Sequence, residues 1–305
     1  LSENAFESND VEVDATSDQA RAYAYGGALY QYNHDHTLNL RENSFTSNEL
    51  NVEALGLKAR SSAYRGAAYS NTRLLSATAS ELSFTNNKAE SIAAGTSSYA
   101  YSYGGAFYNT ARKGHFSLES SQFSGNESAA RANGIRAYAY GGALYDYSQS
   151  TTLNENNFTE NKTEADTNVN KSRAYAYGGG SYIYNRGGDS TFTANEWKGN
   201  ESTVSAVGNK TYGYSRGGGV YAYNYDQKAD WNDNVISANE SAVSAIGTNS
   251  RAYNYGGGLY NYTRLGESTF SANEILANEL NSVATRSYNY GAGAHVLATT
   301  AGTTF

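Results

Sequence analysis

The chain has 305 residues, 29 acidic and 22 basic, for a net charge of −7, and it contains no Cys, Pro or Met. The missing Cys excludes disulfides and thiolate metal sites together, and the acidic balance argues against a nucleic-acid partner, which needs a basic face. No run of 18 apolar residues is present, so no transmembrane helix is expected.

The first recognisable element is a bulky apolar residue, two others, then Asn. It reads Phe6 with Asn9, and recurs to Ile275 with Asn278 in steps of 39, 39, 39, 35, 39, 39 and 39. The fourth position is Asn in all eight copies: Asn9, Asn48, Asn87, Asn126, Asn161, Asn200, Asn239 and Asn278. Asn tolerates left-handed turn geometry, and its amide can bond an identical amide one repeat away. The column is therefore expected to be a structural Asn ladder at a turn.

The second element is RAYAYGGALYQY, residues 21–32. Its first glycine position falls at Gly26, Arg65, Gly104, Gly141, Gly178, Gly217, Gly256 and Gly291, in steps of 39, 39, 37, 37, 39, 39 and 35. The third element is an apolar column at Leu38, Ala77, Phe116, Leu153, Phe192, Trp231 and Phe270. A fixed period in this range marks a repeat architecture. Helical solenoids share the range, but residues 21–32 and 37–41 alternate with period two, which is strand. A Gly-Gly pair would also cost a helix about 2 kcal/mol, and the absence of Pro suits stacked strands.

The predicted fold is all-β: a single-stranded right-handed parallel β-helix of about eight coils, about 39 residues and three strand-like segments each. Residues 1–305 are read as one domain, repeating throughout without separate caps. At about 4.8 Å per level its length is about 38 Å. Sequence columns then become physical ladders. One is Tyr30, Tyr69, Tyr108, Tyr145, Tyr182, Tyr221 and Tyr260, continued by His295. The small, even parity, which includes Ala24, Ala28, Tyr30 and Tyr32, is expected to face inward, with Tyr23 and Tyr25 forming an outward aromatic stripe. The alternation alone is also compatible with the opposite facing.

No catalytic motif is visible, and no catalytic, cofactor-binding or metal-binding residue is assigned. His34-Asp35-His36 is the one His cluster and reads as a polar connection, since a metal site needs three or four converging ligands. Asp146, Asp166, Asp189, Asp226, Asp230 and Asp233 share no column. A column of Arg21, Arg60, Tyr99, Arg136, Arg173, Tyr212, Arg251 and Arg286 reads as surface dressing by Arg stacked on Tyr. Eight Asn-x-Ser/Thr sequons occur, at Asn126, Asn157, Asn161, Asn170, Asn200, Asn209, Asn239 and Asn261. They leave room for glycans on or around an assembly.

Two of these motifs carry a family resemblance. Gly26-Gly27-Ala28-Leu29 and Gly141-Gly142-Ala143-Leu144, alternating with Phe45-Thr46-Ser47-Asn48 and its copies, resemble the GGA(I/L/V) and FxxN repeats of the polymorphic outer-membrane proteins, which are autotransporter-like surface proteins. The resemblance spans the whole chain and implies a right-handed β-helix, secretion, and adhesive or surface-layer work.

The function expected is structural: a secreted subunit, extracellular or on the cell surface, that assembles head-to-tail into a filament or layer. The alternatives are an adhesin that offers its aromatic stripe to a receptor or glycan, and a polysaccharide-active β-helix enzyme. The chain opens without Met or a signal-type segment and reads as a mature form. Its ends are in phase with the repeat. From Gly291 to Gly26 of a following copy is 305 minus 291 plus 26, or 40; from Ile275 to Phe6 is 305 minus 275 plus 6, or 36. Leu1, Phe6, Leu297 and Phe305 are the residues assigned to the junction.

Overall fold

Every regular element in the computed structural model, which describes residues 1–33, 37–64, 66–72, 75–299 and 303–304, is a β-strand. Pairing between strands is parallel throughout, and residues one repeat apart are partners, as Phe6 is with Phe45 and Asp10 with Glu49. One coil reads Ser44–Thr46, Glu49–Leu55, Arg60–Tyr64, Ala68–Thr72 and Ala77–Ser80. Equivalent strands stack into three eight-stranded sheets and a fourth of fourteen strands, which takes the last two segments of each coil. The chain is a β-solenoid with eight levels.

We name the sheets in chain order. The Phe sheet runs from Ala5–Glu7 to Glu274–Leu276. The long sheet runs from Asp10–Thr16 to Glu279–Val283, and the Arg/Tyr sheet from Arg21–Tyr25 to Arg286–Tyr290. The wide sheet holds the remaining strands. Three strand-like segments per coil were expected, and the structure has more. The long sheet was not anticipated because its inward row is mostly small, such as Val52, Ala93 and Ser128, and its bulky members Leu50 and Leu280 do not recur from level to level. Residues 21–32 also do not form one segment. They split at Gly-Gly into strands of two different sheets.

Two cores result. One, between the Phe sheet and the wide sheet, is aromatic and aliphatic and holds Phe45, Phe84, Trp197, Trp231 and Leu153. The other, between the long sheet and the Arg/Tyr sheet, is almost all Ala and Val. Large side chains fill the wide end of the coil and small ones its thin end.

The Gly-Gly corner sits where these halves meet. At Gly141 the backbone is left-handed, with φ 61°. At Gly142 an added Cβ would lie 2.0 Å from the carbonyl oxygen of Gly179 and 2.6 Å from the backbone of Lys162. The second glycine is therefore required by backbone-on-backbone approach, and its column is Gly from Gly27 to Gly257. The corner also shifts the alternation by one. Ala137 and Ala139 point inward before it, Ala143 and Leu144 are both buried at it, and Asp146 and Ser148 point inward after it. Ala24 and the Ala28 column thus face the core as expected, and Tyr23 and Tyr25 face solvent. Tyr30 and Tyr32 do not face inward: they are 56% and 50% exposed, because the bend reverses their parity.

One departure from the 39-residue step is a bulge inside the wide-sheet strand Phe107–Glu119. Ala111 pairs Ser148 while His115 pairs Ser150, so two residues are dropped between sheet segments, and Phe123 still pairs Phe158.

Candidate assembly ladders and the polar interior

The Asn column lies at the bend between the Phe sheet and the long sheet. Six of its members, Asn48, Asn87, Asn126, Asn161, Asn200 and Asn239, have no exposed surface. Each amide uses its full hydrogen-bonding capacity. Oδ1 of Asn126 accepts from both the backbone N–H and Nδ2 of Asn87, at 3.0 and 2.9 Å. Nδ2 of Asn126 donates to Phe84 O at 3.0 Å and to Asn161 Oδ1 at 2.9 Å. Left-handed backbone belongs to the preceding residue and not to Asn: Ser47, Asn86 and Ala238 have φ of 53–54°. The Asn side chain satisfies the N–H and C=O groups that this bend strips from the sheets.

A second Asn ladder runs five residues earlier, through Asn4 and Asn43 and again through Asn156, Asn195, Asn234 and Asn273. Asn156 Nδ2 donates to Asn195 Oδ1 at 3.0 Å, and Asn195 Nδ2 to Asn234 Oδ1 at 3.1 Å. Leu82 and Ser121 interrupt it, and Ser121 Oγ accepts from the Leu82 N–H at 3.1 Å. Sequence reasoning missed this ladder. The signal was present as Asn-x-Phe-x-x-Asn, but the two substituted levels break the column.

The Tyr column stacks on the outer side of the wide sheet. Ring centroids are 4.8 Å apart for Tyr30 and Tyr69, 5.8 Å for Tyr69 and Tyr108, 4.5 Å for Tyr108 and Tyr145, and 4.9 Å for Tyr145 and Tyr182. Tyr182, Tyr221 and Tyr260 continue at 4.8 and 5.0 Å, and His295 closes the row at 5.4 Å. A neighbouring Tyr column meets it edge-on across the corner, as Tyr103 does Tyr145 at 5.3 Å. Burial raises the hydroxyl pKa of Tyr145 and Tyr182 well above the ordinary phenol value. Stacked rings turn their faces to each other and their edges outward. The faces that would stack on a sugar ring are thus occupied along the row.

Inside the wide sheet a polar chain crosses several levels. Ser70 Oγ donates to Asn109 Oδ1 at 3.0 Å, and Asn109 Nδ2 donates to Asp146 Oδ1 at 2.8 Å. Ser148 Oγ donates to Asp146 Oδ1 at 2.6 Å. Asn185 Nδ2 donates to Asn224 Oδ1 at 2.9 Å farther along. Asp146 has no exposed surface, and burial pushes its carboxyl up to about 6. Thr151 Oγ1 lies against both Asp146 Oδ2 and Asn185 Oδ1, which a single hydroxyl hydrogen cannot serve. A proton on Asp146 resolves the conflict: Asp146 donates to Thr151, and Thr151 donates to Asn185. Sequence reasoning treated Asp146 as one of several scattered acids, and only the parity shift at Gly141-Gly142 puts it inside.

Of the residues assigned to the junction, Phe6 and Leu1 join the Asn ladders through their carbonyls, which accept from Asn48 Nδ2 at 3.0 Å and Asn43 Nδ2 at 3.1 Å. Leu1 is exposed, Phe6 is stacked on Phe45 at 4.7 Å, Leu297 pairs Tyr262 at the wide-sheet edge, and Phe305 lies outside the described residues. So do Arg65 and His34-Asp35-His36. Among the described residues, no three His, Cys, Asp or Glu converge as metal ligands. Five sequon asparagines, Asn126, Asn161, Asn200, Asn239 and Asn261, are buried, while Asn157, Asn170 and Asn209 are exposed. No protein-family model, curated protein or solved structure matches the chain.

Proposed function

We propose that this chain is a structural subunit that stacks end to end with further copies of itself into a filament. The observation that carries the reading is the polarity of the Asn ladder. Between amides, each Nδ2 donates to the Oδ1 of the following level and each Oδ1 accepts from the preceding one, while the second Nδ2 hydrogen goes back to a carbonyl of the preceding level. Among the described residues, Asn9 Oδ1 accepts no bond, while Asn278 donates only to Ile236 O, at 2.8 Å. A second copy set one level beyond Asn278 would bring its Asn9 Oδ1 to the Asn278 backbone N–H and remaining Nδ2 hydrogen. Its own Asn9 Nδ2 would reach the Ile275 carbonyl, as Asn48 Nδ2 reaches Phe6 O at 3.0 Å within the chain.

The edges of Asp10–Thr16 and Glu279–Val283 are each paired on one side only. Unpaired edges of this kind template further strands. A head-to-tail contact that does not close by rotation yields a filament. An extracellular or cell-surface setting, implied by the motif resemblance, goes with this reading. Electron microscopy and sedimentation of the full chain test it. Filaments are expected, and Pro at Ala294 and Val296 should abolish them while the inner coils stay folded. A monodisperse wild-type chain at high concentration overturns the proposal.

A further inference from the structure

The long sheet and the Arg/Tyr sheet are the two walls of one thin slab. Their inward rows are small, and the walls approach closely. The Tyr101 N–H donates to Ser91 Oγ at 3.2 Å, and Ser102 Oγ donates to Ala89 O at 2.9 Å. Their outward rows therefore look in opposite directions.

Those rows carry opposite charge. The eight long-sheet strands hold twelve carboxylates and three cations, a net of −9. The eight Arg/Tyr strands hold seven Arg and no carboxylate, a net of +7. The three cations of the acidic face are already engaged: Lys88 with Glu90 at 2.8 Å, Lys162 with Glu164 at 3.3 Å, and Arg131 with Glu90 and with Glu164 at 3.3 Å. Among the described residues, Asp14, Glu53, Glu240 and Glu279 have no ion pair, and neither has any Arg of the opposite face. Arg60, Arg173, Arg216 and Arg251 are instead laid on tyrosine rings, at 4.9 Å over Tyr101, 5.5 Å over Tyr212, 5.4 Å over Tyr177 and 5.8 Å over Tyr212. They are oriented but not neutralised.

We infer that these two faces form a lateral interaction surface for a second copy of this chain. The acidic long face of one solenoid lies against the Arg/Tyr face of another, with parallel axes. Both faces are parallel sheets with one strand per level, so their charges repeat with the same rise and meet level by level. Complementary charge sets the register and the encounter rate of such a contact. Each copy has both faces, so the contact is open-ended and builds a layer. It does not depend on end-to-end stacking.

Sedimentation velocity of the full chain tests this, in a background blocked axially by Pro at Ala294 and Val296. Clusters are expected near 0.01 M salt, where the screening length is about 30 Å, and monomers near 1 M, where it is about 3 Å. Arg21→Glu with Arg60→Glu, Arg136→Glu, Arg173→Glu and Arg251→Glu takes the Arg/Tyr face from +7 to −3, so both faces are acidic. Asp14→Lys with Glu49→Lys, Glu53→Lys, Glu201→Lys, Glu240→Lys and Glu279→Lys takes the long face from −9 to +3, so both faces are basic. Each variant alone should sediment as a monomer at low salt, and an equimolar mixture should cluster again. Salt-independent sedimentation of the wild-type faces overturns the inference even if a variant fails to fold. So does clustering of either variant alone, or a mixture that stays monomeric. Heparin binding by chains that do not cluster with one another overturns it in favour of a polyanion partner.

Discussion

Asn126 is joined to Asn161 by two hydrogen bonds to one atom: its backbone N–H and its Nδ2 both donate to Asn161 Oδ1, at 3.0 and 2.9 Å. The same oxygen thus satisfies a bend in the main chain and a side chain, in a site with no exposed surface. The arrangement repeats at successive levels, so the ladder satisfies the same bend in coil after coil.

Asn126→Leu removes the acceptor of the Asn87 N–H and Nδ2 and the donor to Phe84 O. Each buried group left unsatisfied costs about 1–3 kcal/mol. A loss of at least about 3 kcal/mol is expected, read as a lower midpoint in chemical denaturation. An unchanged midpoint would show that the ladder does not hold the bend.

The two kinds of glycine separate by mutation. Gly142→Ala places a Cβ against the backbone of Gly179 and Lys162, which cannot move, and should cost at least about 3 kcal/mol. Gly125→Ala meets only the Asn86 side chain, in a left-handed position where Ser, Asn, Glu and Ala stand at other levels. Its cost should be about 1 kcal/mol. Equal losses would contradict the backbone-approach explanation.

Asp146 sets part of the pH dependence. Its folded carboxyl titrates at about 6, above the ordinary 3.8, so the folded state binds the proton more tightly than the unfolded chain. Its contribution is most favourable below about pH 4, weakens as pH rises to about 6, and is flat above, a span of about 3 kcal/mol. Asp166 is also held up, by burial and its hydrogen bond to Glu164, so wild type must be compared with Asp146→Asn. The amide can donate to Thr151 without ionising. The variant should gain stability over wild type at pH 7 and gain little or nothing at pH 4; the same gain at both pH values would refute the account.

The sequons predict a conflict with N-glycosylation. A glycan on Asn126, Asn161, Asn200, Asn239 or Asn261 occupies an amide that the interior requires. In a host that glycosylates chains before they fold, modified molecules should be protease-sensitive, and blocking the modification should restore a resistant product. A resistant chain carrying a glycan at Asn126 would disprove this.

The period, the all-β class and the main columns were legible in the sequence. In-register parallel stacking sets each residue on its own equivalent, so packing constraints at Phe45 or Asn48 are repeated at every level and show as columns. The tertiary structure decided three further matters. One is the facing of Tyr30 and Asp146, because a left-handed glycine followed by a backbone-packed one shifts parity by one residue, which alternation on either side does not reveal. Another is the long sheet, whose mostly small inward residues form no bulky column, since Leu50 and Leu280 stand at two separate levels. The third is the separation of charge. The residues behind Asp14 and Arg21 are near in sequence, yet a tight turn between two Ala-lined walls sends one row to each side of the slab.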